Sequence, residues 1–412
     1  MARVHVVGAG LAGLAAAVTL VRRARPVTLY EASGHAGGRC RSYYDTRLER
    51  LIDNGNHLLL SGNRAAKRYL EEIGATDRLS HTEKAEFPFF DLASGLRWTL
   101  RPGSPLWILS KRRGSGTYLA EIASALKLLT AKRSHTIAER LQNAGSAYTR
   151  FWKPLAESVL NTPCKTGSAA LLRRVLVETL LRGETACRPR IALKGLSHAF
   201  VDPAVDLLTK SGTRPRFHFR LKALRFSANR VTTLIFANEP LRIPAGDQVI
   251  LALPPWDLKR ILPTVRIPDG EHAIVNAHFR LPRHAKNSFL GLIGGTAQWL
   301  FVRGDVASAT VSAADDLAEK SPDRIAKRIW LDIGKVLQMS PQVPPHWRII
   351  KEKRATFAQT PANERCRPKT RTGIANVFLA GDWIATGLPA TIESAVLSGQ
   401  KAALAALKSD SG

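Results

Sequence analysis

The chain is short of acids and of long apolar runs. Against 61 Lys plus Arg it carries only 33 Asp plus Glu, a formal charge of +28. It has no run of about 18 apolar residues, so no membrane-spanning helix is expected. Its cysteines, Cys40, Cys164, Cys187 and Cys366, form no Cys-x-x-Cys pair and no cluster with histidine. That excludes a disulfide scaffold and a zinc-finger-like site, predicts no metal, and fits a reduced compartment. Internal repeats and low-complexity tracts are absent as well. The first strand is predicted within two residues of Met1, which leaves no room for a signal peptide. The surplus of positive charge favours polyanions, either nucleic acid or an anionic membrane surface. The basic residues are spread along the chain and not gathered on a reading helix or an aromatic platform, so no nucleic-acid partner is expected. Steep salt-dependent binding to DNA would favour such a partner.

What remains is globular: 45% hydrophobic and 23% charged residues over 412 positions, enough for two or three domains. "RVHVVGAGLAGLAAAVTLVRRARPVTLYEA" reads as strand, turn, helix, strand. Val4, Val6 and Val7 suit a buried parallel strand, and a helix is predicted from Leu11 to about Arg22. Gly8-Ala9-Gly10-Leu11-Ala12-Gly13 matches G-x-G-x-x-G. Gly8 makes the tight turn, Gly10 admits a pyrophosphate, Gly13 lets helix meet strand, and the free amides of the helix N-terminus face the phosphates. Glu31 follows Gly13 by 18 positions (31 − 13) at the end of the second strand, where a carboxylate binds ribose hydroxyls. Gly37-Gly38-Arg39 then adds a second clamp, with a guanidinium to neutralise pyrophosphate charge.

A second glycine turn lies near the other end. "VFLAGDWIATGLPATIESAVLSGQKAA" begins as a strand, turns through Gly381-Asp382, crosses a loop shaped by Gly387 and Pro389, and enters a helix near Thr391. Asp382 can accept from a cofactor's hydroxyls, and the helix N-terminus can stabilise negative charge on a reduced cofactor. Gly399 inside that helix predicts close packing on the cofactor domain, and Glu393 is open between a cap and a cofactor contact. "DQVILALPPWDL" supplies a further buried strand and an abrupt exit at Pro254-Pro255. The two glycine turns are expected to hold opposite ends of one cofactor.

From Glu31 to Arg39 the sequence resembles the flavoprotein superfamily of amine oxidases and carotenoid desaturases. More narrowly, "LIDNGNHLLLSGN", "FWKPLAESVLNTP", "RATFAQTPANERCRP" and "AGDWIATGLPATIESAVLSG" resemble the squalene-associated FAD-dependent proteins, the hydroxysqualene dehydroxylases of bacterial hopanoid synthesis. The resemblance runs from Val4 to Ala403. It departs at Ile384-Ala385, where a polar pair is common, and at Ser394, where Gly is usual; Ile384 is expected on the pocket wall.

The resemblance implies an α/β fold: a Rossmann-like FAD-binding domain of the amine-oxidase and desaturase type, with an inserted substrate domain of mixed helices and strands. It implies FAD, held at the phosphates by Gly8, Gly10, Leu11, Ala12, Gly13, Gly38 and Arg39, and at the adenosine by Glu31, Ala32 and Leu221. Toward the flavin it implies Asn54, Gly55, Asn56, His57, Pro254, Gly381, Asp382, Pro389, Ala390 and Thr391. The implied reaction is reductive removal of the hydroxyl of hydroxysqualene, a long isoprenoid. His57 and Asp53 are the nearest ionisable candidates for an acid, with backbone contacts to the flavin as the competing role for residues 55–57. A phytoene-type desaturase and an amine oxidase are the rival readings within the superfamily.

The cofactor domain is expected to be discontinuous, at 1–85, 190–270 and 345–412, with 86–189 and 271–344 forming the substrate domain. Helical spacing of Leu119, Ile122, Ala123, Leu126 and Leu129 predicts a helix in the first insertion, and Ser321-Pro322 predicts a helix start in the second. Trp98, Leu106, Trp107, Ile108 and Leu109 are mixed with Arg97, Arg101, Lys111, Arg112 and Arg113. That mixture suits either a lipid headgroup region or a solvated loop over buried tryptophans. Expected partners are a long-chain isoprenoid substrate, an electron-donating reductase and an anionic membrane. The expected location is the bacterial cytoplasm, peripheral on the inner membrane.

Overall fold

The structure, a computed structural model, describes residues 2–102, 124, 126–141, 143–145, 148–340 and 343–409. In chain order the elements that position the site are strand β1 (Val4–Val7), helix α1 (Leu11–Val21), β2 (Val27–Tyr30), α2 (Arg64–Glu72), β3 (Gln248–Leu251), β4 (Glu271–Ile293), β5 (Trp299–Val311), α3 (Pro322–Leu337), β6 (Trp347–Phe357), β7 (Val377–Leu379) and α4 (Ile392–Lys408). Four strands pair in parallel in the order β7–β3–β1–β2. Their sequences, VHVV, VTLY, QVIL and VFL, are almost wholly buried, as a parallel sheet covered on both faces requires. α1 is buried from Leu11 to Leu20 because α4 lies along it. A methyl group on Gly399 would come within 2.0 Å of the Ala12 carbonyl oxygen, so the two helices meet backbone to backbone.

A second sheet runs β5–β4 and then through the strands Phe87–Asp91 and Arg97–Leu100. β4 is long enough to be shared. β5 follows one edge, while β6 and Phe87–Asp91 divide the other. β6 lies within the expected cofactor segment 345–412 yet pairs with β4. α3 starts where the sequence places it, with Ser321 as N-cap and Pro322 next, although the Ser321 hydroxyl makes no capping bond. Its Ile325, Ile329, Ile333 and Val336 pack with Val275, Ala277 and Phe279 of the sheet.

A further apolar core joins Phe87 and Phe89 to Leu128, Trp152, Leu160 and Leu172. Two expectations change here. Leu126 is exposed and Leu128 is the buried one, because adjacent leucines leave the helical face undecided by spacing alone. Trp98 stacks on Phe89, with ring centroids 4.5 Å apart, and so belongs to this core and not to a lipid-facing surface. Leu119, Ile122 and Ala123, and the basic and apolar residues from Leu106 to Arg113, lie outside the described residues. Among the described residues no helix is long and apolar enough to cross a membrane.

Candidate active site: a dinucleotide cradle between two glycine turns

The first turn is closed by contact. At Gly8 φ is +104°, and a methyl there would meet the Ala252 carbonyl oxygen at 2.4 Å; at Gly13 it would sit 1.8 Å from the Gly8 carbonyl oxygen. These clashes fix glycine at both positions. Gly10 is different: nothing lies within 4 Å of where its side chain would be, and it heads α1 with no side-chain cap. The amides of Leu11 and Ala12 therefore open the helix at a vacant concavity, an arrangement suited to phosphate oxygens. Gly38 continues this wall, its own added methyl lying 3.3 Å from the Gly10 Cα.

The Glu31 carboxylate is held beside the turn. It accepts from the Ala9 amide at 2.8 Å, the Ser33 amide at 2.8 Å and the Ser33 hydroxyl at 3.0 Å. A carboxylate has lone-pair capacity left for hydroxyl donors. The segment after Ala32 runs beside residues 216–219, where Glu31 donates to the Arg216 carbonyl and Phe219 and His218 donate to those of Glu31 and Ser33. Leu221 opens the next strand, Leu221–Ser227, and is buried in the core that contains Tyr30.

Arg39 joins the two turns. Its guanidinium is 2.8 Å from the Asp382 carboxylate, 343 positions away, and also donates to the Ala355 carbonyl. Burial works against its charge, but Asp382, with Glu352 beyond, outweighs that and raises the pKa. The Gly381 amide is anchored to the Ser398 hydroxyl. Pro254 follows β3, and the neighbouring Leu253 carbonyl accepts from the Trp383 indole at 2.9 Å, so β3 and β7 exits are tied together.

Two buried side chains that sequence reasoning left without a role shape the loop after Asp382. Arg367 donates to the carbonyls of Asp382, Trp383, Ile384 and Leu388 while paired with Glu364. Gln359 accepts from the Ala390 amide and donates to the Leu160 carbonyl. Both lie in the quoted string "RATFAQTPANERCRP"; a buried Gln and an Arg three positions after Glu364 were the available signal. Pro389 and Thr391 close the loop, Thr391 capping α4 by accepting from the Ser394 amide. Ser394 repays its departure from Gly, since its hydroxyl meets Thr386 at 2.7 Å and the Asp382 carbonyl at 3.2 Å. Ile384 is not on a pocket wall; it is buried beside Trp383 in the core. Glu393 caps a different helix, accepting from the Ala65 and Ala66 amides at the start of α2.

Residues 53–57 form the far wall. The Asp53 carboxylate is committed to the Ser42 hydroxyl, the Leu196 amide and the Arg303 guanidinium. Asn54 reaches Glu352, while its carbonyl accepts from Asn276. Asn56 donates to Thr310, which donates to Asn276, so β4 and β5 brace the turn through Gly55. His57 lies deep in the fold but keeps accessible surface, and its ring has no hydrogen-bond partner among the described residues. Burial, with the Arg39 charge, lowers its pKa to about 4 despite Asp53, leaving a neutral imidazole. Leu58 and Leu60 pack on the aromatic core and Leu59 on the core around α1, so His57 stands at their junction.

A family profile described as flavin-containing amine oxidoreductase matches residues 11–407. A hydroxysqualene dehydroxylase of Zymomonas mobilis is 42% identical over 99% of both chains. Another, of Rhodopseudomonas palustris, is 43% identical over 97% of both. The chain belongs to the hydroxysqualene dehydroxylase family. A 15-cis-phytoene desaturase of Narcissus pseudonarcissus is 22% identical over 96% of this chain and 78% of its own. A structure of putrescine oxidase bound to putrescine shares the fold, with a TM-score of 0.72, 17% identity and 99% coverage of both chains.

As a member of this family of flavoenzymes the chain is an FAD-dependent oxidoreductase. The cradle fits that cofactor. The open face at Gly10, the uncapped N-terminus of α1, the Glu31 carboxylate beside the turn and the Arg39–Asp382 bridge are the groups that would hold a dinucleotide. His57 is close enough to Arg39 for that charge to help lower its pKa.

Proposed function

We propose that this hydroxysqualene dehydroxylase relative removes the hydroxyl of hydroxysqualene reductively and releases squalene. The observation that carries the reading is identity of 42–43% along the whole chain to proteins of that name, against 22% to a phytoene desaturase. The reaction breaks one C–O bond, places a hydride on carbon and a proton on the departing oxygen, and yields water. Reduced FAD supplies the hydride when bound.

The chain's own residues have three tasks in this proposal. The α1 N-terminus, Glu31, Arg39 and Asp382 hold the dinucleotide. The aromatic core that includes Phe89, Trp98, Phe289 and Trp299 gives the apolar side of the site and excludes water from a long isoprenoid. His57, kept neutral by burial, hydrogen-bonds the departing hydroxyl from a ring N–H, and the proton that completes water is drawn from solvent. Asp53 serves it indirectly, since its bonds to Ser42, Leu196 and Arg303 hold the turn in place. Electrons come from a separate reductase, and the enzyme works on the cytoplasmic side of the inner membrane, where its substrate dissolves.

The test is product analysis. FAD-loaded enzyme with a chemical reductant and hydroxysqualene should give squalene, and His57→Phe should lower kcat by roughly 10²–10⁴ while binding FAD normally. Conversion of phytoene by the oxidised enzyme, with hydroxysqualene untouched, would put the desaturase reading in its place.

A further inference from the structure

The hairpin Ser42–Asp45 and Arg50–Asp53 leads directly into the wall that carries His57. Its inner face is packed: Leu48 and Ile52 share a small core with Val306. Its outer face is not. Tyr44 and Leu51 are direct cross-strand partners and are 62% and 46% exposed, an aromatic and an aliphatic side chain in water side by side. Next to Leu51, Arg50 grips Asp305. The adjacent Gly304 amide donates to Asn287, and His284 lies 3.4 Å from where a Gly304 side chain would be. Pro282–Ser288, an exposed stretch of β4 carrying Arg283, His284 and Lys286, is thereby held beside the hairpin through Arg50, Asp305 and Gly304.

Charge on this face is one-sided. The acids Asp45, Glu49, Asp53 and Asp305 are each paired with an arginine. Arg283 and Lys286 have no acid partner among the described residues. Immediately past Ser288 the strand turns inward with Phe289, which tilts against Trp299 and Phe301 in the aromatic side of the site. An exposed Tyr–Leu pair, beside a stretch with unpaired cations, matches an anionic bilayer better than it matches bulk water.

We infer that the Tyr44–Leu51 hairpin face and the Pro282–Ser288 stretch form a lipid-docking surface for anionic phospholipid bilayers. The substrate's reason to meet a bilayer rests on the proposed isoprenoid chemistry; the docking itself is read without it. The FAD-loaded full chain is mixed with vesicles of phosphatidylcholine containing phosphatidylglycerol, or of phosphatidylcholine alone, and separated by flotation. Wild type should float with the anionic vesicles only and be released by high salt. Arg283→Glu with Lys286→Glu, and separately Tyr44→Ser with Leu51→Ser, should each lower the partition by roughly tenfold or more. FAD content, melting temperature and turnover of detergent-dispersed substrate should stay at wild-type levels, since all four side chains face water. Variants that float as wild type does, or a wild type that ignores anionic vesicles, would overturn the assignment. Loss in the variants of reduction by an acidic electron-donor protein, with vesicle binding intact, would instead give this face to that partner. Failure of squalene formation with docking intact would count against the function and not against the surface.

Discussion

At the scale of single residues the cofactor grip depends on one ion pair. Arg39 and Asp382 bring opposite ends of the chain together at 2.8 Å, and each charge is left without its main partner when the other is removed. A hydrogen bond to a charged group contributes about 1.5–3 kcal/mol, so Asp382→Ala should weaken FAD binding roughly ten- to hundredfold. Flavin fluorescence titration of the apoprotein measures this, and Arg39→Lys should recover part of the loss of Arg39→Ala. Histidine sets the acid limit. His278 is buried on β4, with one ring nitrogen 2.6 Å from Ser308 and the other unpartnered, and burial lowers its pKa to about 4. Between the ordinary value near 6.5 and about 4 the unfolded chain binds a proton that the folded chain refuses. Stability should therefore fall as pH drops through that window, by up to about 1.4 kcal/mol per pH unit. Denaturant melts from pH 7 to 4.5 should show that slope, and His278→Gln should reduce it to the part His57 contributes, since burial lowers the His57 pKa to about 4 as well.

At the scale of elements the fold rests on how closely α4 approaches α1 and on how the loop before α4 is fastened. Gly399→Ala gains helix propensity but drives a methyl into the Ala12 carbonyl. Overpacking of this kind typically costs about 1–3 kcal/mol, so the variant should melt lower and lose FAD more readily, as thermal denaturation and flavin release will report. Arg367→Met removes the fastening of the loop after Asp382 at several carbonyls. Its buried acceptors would be stranded at about 1–3 kcal/mol each, and the protein should purify with little flavin. The elements themselves were legible wherever local chemistry decides them. Val4–Val7, the turn at Gly8 to Gly13, the helix from Leu11 and the Thr391 cap all follow from β-branching, glycine spacing and cap chemistry. Tertiary fastening was not legible. Glu393 caps α2 from 327 positions away, and Gln359 spans from Ala390 to Leu160; no local pattern reports such partners.

At the scale of the molecule, two glycine turns about 370 residues apart are joined by the Arg39–Asp382 pair, and the apolar core that packs Trp98 and Trp299 takes in Leu58, the residue after His57. The cradle could be read in the sequence because each turn carries its own signature. The far wall could not, because residues 53–57 take their shape from Asn276, Arg303 and Thr310 on strands more than 200 positions later. The central claim is that this cradle delivers reducing equivalents to an isoprenoid alcohol. It is tested most directly by a single anaerobic turnover, in which reduced FAD-loaded enzyme receives hydroxysqualene while flavin absorbance and lipid mass are followed together. Reoxidation of the flavin with one squalene formed per flavin is the predicted result. A flavin that stays reduced, with hydroxysqualene recovered intact, would contradict it.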